Sequence, residues 1–250
     1  VKYIISLLLL VSSSLAAKPV LIASDIWCPY ICQDHTGYVT ELTRRSFEVM
    51  DQQVHFIAVP FNRALKEVKI GNIDAILAVT PTHIEQFNLY TDTLIVGYTS
   101  TDFYTRADAS WSFQQLDSLD GALVGIIGGY DYGEQLNDKI SRSTDFYAAT
   151  GEQPMMLNIK RLVNGRFDVI LGNKVAIEYT AYKNDVANQI KYAGSYGEPT
   201  PLYVGFNPNQ SRIADVYAQG IAKLKRSGEF QQILDKYQIK APENMPPLGL

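Results

Sequence analysis

Beyond its first dozen residues the chain has no long hydrophobic run, no stripe of basic side chains, no Gly- or Ser-rich tract and only two cysteines. A helix needs roughly 20 consecutive apolar residues to cross a bilayer, so no membrane-spanning helix is expected. The formal net charge of −4, with both signs interspersed, argues against a nucleic-acid partner. Paired carboxylates, a Ser-His-Asp arrangement, a metal triad and a phosphate loop are also missing. Asp131, Glu134 and Glu178 are the acids that an enzyme could use, and no catalytic residue, metal or cofactor is expected. The cysteines, Cys28 and Cys32, sit four residues apart in Trp27-Cys28-Pro29-Tyr30-Ile31-Cys32. An even number at close spacing reads first as a disulfide, with free thiols or a metal site sharing His35 as the alternatives. A bridge closing so short a loop fixes the loop's shape more than it stabilises the whole fold.

What the sequence does contain begins with an export signal. Lys2 gives a positive start, Ile4 to Val11 an apolar run, and Ser14-Leu15-Ala16-Ala17 a small-residue cleavage site, so residues 1–17 read as a secretory signal peptide and the mature protein as periplasmic. No cysteine stands at the cleavage site to carry a lipid anchor. The remainder suits two lobes of about 100 residues each. Sixteen tyrosines, apolar rings with polar tips, suit a wet binding cleft.

One phrase occurs twice. Gly71-Asn72-Ile73-Asp74-Ala75-Ile76-Leu77 and Gly165-Arg166-Phe167-Asp168-Val169-Ile170-Leu171 each follow a helical stretch, with a glycine able to end the helix and an apolar run suited to a doubly buried strand. Around them the pattern predicts strands at 20–23, 54–59 and 73–79 with helices at 39–50 and 62–70. It then predicts strands at 122–127, 145–148 and 167–171 with helices at 132–140 and 152–164. This is a β-α-β-α-β unit met twice, with parallel sheets and a crevice between two lobes. The extended stretches 94–105 and 201–206 form the expected two-stranded hinge. After them, Ser211 opens a helix carrying Ile213, Tyr217, Ile221 and Leu224, and a last helix carries Phe230, Ile233, Leu234 and Tyr237. The first lobe is thus expected from 18–100 and 204–241, the second from 101–203, and a Pro-rich tail from 242–250.

Several short motifs then fall in a consistent order: Trp27-Cys28-Pro29-Tyr30, Gly37-Tyr38, Pro60-Phe61-Asn62-Arg63-Ala64, Thr80-Pro81, Leu119-Asp120-Gly121, Gly128-Gly129-Tyr130, and Ser227-Gly228-Glu229-Phe230 through Lys236-Tyr237. Together they resemble the bacterial extracellular solute-binding proteins of family 3, the periplasmic receptors of amino-acid-type ABC importers. That resemblance implies an α/β, type II periplasmic-binding-protein fold, two parallel-sheet lobes closing on a ligand about a two-strand hinge. It also implies an aromatic contact from Trp27, with Tyr30 in the same wall, and second-lobe contacts from the turn Gly129-Tyr130-Asp131 and from Tyr132. The family's Thr-Pro-Glu-Arg, whose arginine grips a ligand α-carboxylate, reads Thr80-Pro81-Thr82-His83 here. Asn173 stands where an aspartate holds the α-ammonium. His83 and Asn173 are weak substitutes for a forked cation and a formal anion. Arg63 is the alternative anion grip. The expectation is a monomeric periplasmic receptor that captures a small polar or aromatic solute, other than an α-amino acid held in the usual mode, for an inner-membrane ABC permease. The alternatives are a dehydratase-like exported enzyme and a ligand-presenting sensory subunit.

Overall fold

The computed structural model describes residues 18–92, 94–241 and 245–249. The expected signal peptide and part of the Pro-rich tail lie outside them. Eight strands form one mixed sheet: β1 (Val20–Ser24), β2 (Val54–Ala58), β3 (Ala75–Val79), β4 (Gly97–Arg106), β5 (Val124–Ile127), β6 (Phe146–Ala149), β7 (Val169–Gly172) and β8 (Ile190–Phe206). Their order is β2-β1-β3-β8-β4-β7-β5-β6. The triplets β2-β1-β3 and β7-β5-β6 are each parallel, as βαβ connections require. Between them run β4 and β8, antiparallel to each other from Gly97↔Leu202 to Arg106↔Ile190, while the end of β8 pairs with β3. The two lobes are therefore the two parallel triplets with their helices, and the crossing strands bind them.

The repeated phrase has the same physical work in both lobes. Gly71 ends helix α2 (Phe61–Ile70) in the left-handed region at φ 86°, and Gly165 follows α5 (Pro154–Val163) at φ 68°. The aspartate three residues on ties the turn to the neighbouring strand's entry. Asp74 Oδ2 accepts the Leu21 N–H at 2.8 Å, and Asp168 Oδ2 accepts the Leu123 N–H at 2.9 Å. An exposed-looking aspartate in each copy is thus a satisfied structural one.

Apolar faces at helical spacing then bury each sheet face. Phe61, Ala64, Leu65 and Val68 of α2 pack with Ile76 and Val79 on one side of the first lobe. On the other side α1 (Tyr38–Glu48), α7 (Ser211–Ser227) and α8 (Glu229–Lys236) bring Leu42, Phe47, Tyr217, Leu224 and Phe230 together around Leu77 and Phe206. The second lobe uses α5 and α6 (Lys174–Lys183) on one face, with Ile159, Leu162 and Ile177, and α4 (Glu134–Arg142) on the other, with Leu136. Gly220 lets α7 lie directly on α1: a Cβ there would stand 1.8 Å from the Ser46 carbonyl oxygen.

Four features depart from the sequence reading. Helix α3 (Pro81–Phe87) and α6 were not expected, and β8 starts eleven residues before the expected hinge strand. The α4 helix begins at Glu134 rather than at Tyr132, because Gly133 takes φ 89° and the loop before it is pinned by side chains: Asp131 Oδ1 accepts the Gly133 N–H, and Asn137 Oδ1 accepts the Tyr132 N–H, both at 3.0 Å.

Candidate functional site

Ligands of parallel α/β sheets bind beyond the carboxyl ends of the strands, and here four such ends converge. Asp25 follows β1, Thr80 follows β3, the turn 128–131 follows β5 and Asn173 follows β7. The β3 end is irregular: Ala78 has φ 60° and the β3–β8 register shifts between Ile76 and Val79. The lobes touch across the crevice. Tyr130 Oη donates to Asp25 Oδ2 at 2.9 Å, and Thr80 Oγ1 donates to Asp131 Oδ2 at 3.0 Å. Tyr30 Oη donates to Asn173 Oδ1 at 3.2 Å, and the Ile26 N–H donates to the Glu152 carbonyl at 2.9 Å. Inside these contacts lies a cavity of about 40 Å³.

Asp25 dominates the chemistry of that cavity and was missed from the sequence. It is buried, 2 % exposed, and has no ion-pair partner among the described residues. Burial pushes its carboxyl up to about 7, against the Tyr130 hydrogen bond, which lowers it. The second charged side chain on the lining is also a carboxylate. Burial opposes the charge of Asp131, but hydrogen bonds from Thr82, the Gly133 N–H, Asn137 and Thr80 outweigh it and hold the group below its ordinary value. No lysine or arginine lines the cavity. The aromatic rings of Trp27, Phe61 and Tyr130 do, with Phe61 edge-on to Tyr130 at 5.4 Å and Trp27 edge-on to it at 6.4 Å.

Of the residues singled out from the sequence, Trp27, His83, Tyr130 and Asp131 lie on this lining. Trp27 stacks on Tyr30 at 4.1 Å, and their loop is closed by the Cys28–Cys32 disulfide and by the Trp27 N–H to Ile31 carbonyl bond at 2.7 Å. With both sulfurs bonded, the metal alternative has no thiolate to use, and the His35 ring stacks on Phe56 instead. His83 is a latch between lobes: Nε2–H donates to the Gly129 carbonyl at 2.9 Å, while Nδ1 accepts the Thr80 N–H at 3.2 Å. Burial holds its pKa below the ordinary value, which fits this neutral tautomer. Tyr30 and Asn173 meet beside the cavity rather than on it, and Asn173 also caps α6 through the Ala176 N–H. Tyr132 lies behind the lining, its Oη accepting the Ile127 N–H at 2.8 Å. Arg63 sits elsewhere. Helical spacing from the buried Phe61 puts it on the outer face of α2, 68 % exposed and 3.7 Å from Glu67. Arg63→Ala should therefore leave solute affinity within about twofold, as expected of an exposed i,i+4 pair, and calorimetry would show it.

This layout, two α/β lobes with a site at the strand ends beside a crossing pair, accompanies a matching family model over residues 24–240, that of the bacterial extracellular solute-binding proteins, family 3. The chain belongs to that family. Among curated proteins, this family 3 chain is 24% identical over 218 residues to the L-arginine-binding protein of Pseudomonas aeruginosa, covering 80% of this chain and 78% of that protein. Among solved structures it resembles a histidine kinase sensor domain with similarity to periplasmic binding proteins, at TM-score 0.74 and 17% identity over 94% of this chain and 99% of the other. It also resembles ArtJ, the arginine-, lysine-, histidine-binding protein of Geobacillus stearothermophilus, at TM-score 0.74 and 13% identity over 88% and 95%. These likenesses establish the two-lobed fold. No helix among the described residues is long and apolar enough to cross a membrane.

Proposed function

We propose that this family 3 protein is a periplasmic receptor that closes its lobes on a small cationic solute for delivery to an ABC-type permease. The carrying observation is Asp25, a buried carboxylate without a basic partner, walled by aromatic rings. A buried charge is costly until it is paired, so a solute cation supplies what the protein withholds. Aromatic faces add cation–π attraction in the same place. Relatives that bind arginine, lysine and histidine are consistent with a cationic solute. An α-carboxylate, however, would meet Asp25 and Asp131 with no arginine to hold it, so the solute is better described by its cation than by an amino-acid backbone. A sensory role uses the same capture chemistry, and the kinase sensor domain among the structural relatives shares the fold.

The test is calorimetric titration with guanidinium, alkylammonium and neutral amide solutes across pH. Titratable groups on the lining are Asp25, Asp131, His83 and Tyr130, and the first sets the profile. Because Asp25 holds its proton up to about 7, protons compete with a permanently charged cation below that value. Affinity should be full above pH 7 and fall about tenfold per pH unit beneath it. Binding of neutral amides in preference to cations, or a flat profile between pH 5 and 8, would overturn the reading.

A further inference from the structure

Tyr130 is a partly buried residue that packs against three separate hydrophobic clusters, two in the second lobe and one in the first. Its backbone belongs to the turn after β5, yet its ring lies against Phe61 of the first lobe at 5.4 Å and edge-on to Trp27 at 6.4 Å. Its hydroxyl ends on one oxygen of Asp25, Oδ2, at 2.9 Å, and the Ser24 side chain is a second polar neighbour that favours the Asp25 carboxylate. The phenol therefore reaches right across the crevice. The glycine before it, Gly129, is held to His83 through its carbonyl, and Asp131 after it is held by Thr80, so the residue is anchored on both sides in the closed form. What remains beside it is a small cavity of about 40 Å³.

Building on the cationic reading above, we infer that Tyr130 sets the size of the solute: its ring takes the length of the crevice that a long side chain would need, so the closed site accepts a compact cationic head and excludes an extended one. So small a cavity suits a compact cation such as guanidinium or a short alkylammonium. The hydroxyl simultaneously holds Asp25 through Oδ2. Tyr130 is thus both the end wall of the site and the positioning residue for its carboxylate.

The probes are guanidinium, ethylguanidine and agmatine, all with the same planar head on increasing length, titrated at pH 8 into the wild type, Tyr130→Phe and Tyr130→Ala. The wild type should bind guanidinium at least tenfold more tightly than agmatine. Tyr130→Phe keeps the ring and should keep that order, while losing affinity for all three and moving the pH midpoint upward, since the hydroxyl that lowers the Asp25 pKa is gone. Tyr130→Ala should reverse the order, with agmatine gaining at least tenfold relative to guanidinium. Wild-type protein that binds agmatine as well as guanidinium overturns the inference without needing any variant. An order unchanged in a folded Tyr130→Ala overturns it too, while the cationic reading stands. Failure of all three cations in every protein overturns both.

Discussion

Asp25→Asn should weaken binding of a small cation by about 100- to 4,000-fold while leaving the protein at least as stable. The two halves have opposite signs because the carboxylate has two different partners in the two experiments. With solute bound, the substitution removes one member of a buried charge pair, a loss of about 3–5 kcal/mol. At about 1.4 kcal/mol per tenfold, that is the stated range. Without solute, the same substitution removes a charge that burial disfavours. A carboxyl whose pKa is raised by folding, as Asp25 is, to about 7, costs nothing while both states are protonated below about pH 4, and costs most above pH 7. The variant should therefore melt higher than the wild type at pH 8 and alike at pH 4. Calorimetry and thermal melts on one preparation check both. Unchanged cation affinity would show that the solute pairs elsewhere.

Gly220→Ala should do the reverse, costing stability and sparing the site. The added Cβ would meet the Ser46 carbonyl oxygen at 1.8 Å, and that atom is backbone in the last turn of α1. Neither helix can yield by rotating a side chain, so α7 must lift from α1 and open the cluster around Phe47, Tyr217 and Leu224. Overpacking of this kind costs about 3 kcal/mol, more than the ~1 kcal/mol of helix propensity that alanine returns. The net cost of about 2 kcal/mol is, in a chain of this size, a drop in Tm of about 4–8 °C. Cation affinity of the folded fraction should stay as in the wild type, because Asp25 and Tyr130 lie outside that cluster. A Tm within 2 °C of wild type would mean that the helices can separate at little cost.

The fold was largely legible because its strands are short apolar runs punctuated by glycine and aspartate, and the duplicated phrase at Gly71 and Gly165 gives the same turn twice. Helix α3 was hidden by its brevity and by Pro81, which reads as a breaker but sits at the first helical position, where its missing N–H costs nothing. Helix α6 was hidden because its apolar residues are spread around it instead of lying on one face. The site was less legible. Family motifs point to Trp27, His83 and Tyr130, which line the cavity, but they draw the eye past Asp25. A lone acid after a strand looks like a solvated turn residue, and only its burial distinguishes it. The clue present in the sequence was position, since Asp25 ends the first strand of a parallel unit. Arg63 misled for the opposite reason: arginine suits an anion grip chemically, and helical periodicity from Phe61 turns it outward.

The crossing of β4 and β8 has a consequence for the order in which the chain can acquire structure. From β4 through β8 the residues are contiguous, so the β7-β5-β6 triplet and both strands that brace it are complete once the chain has emerged to Phe206. The β2-β1-β3 triplet must wait, because its sheet edge is covered by the end of β8 and its α1 face by α7 and α8, all made afterwards. During synthesis from the N-terminus, the part that starts first is finished last. Until β8 is made β3 has an open edge, and until α7 and α8 follow α1 has an uncovered apolar face, the kind of surface that chaperones of nascent or exported chains engage. Completing the first lobe therefore awaits the last helices of the polypeptide, α7 and α8.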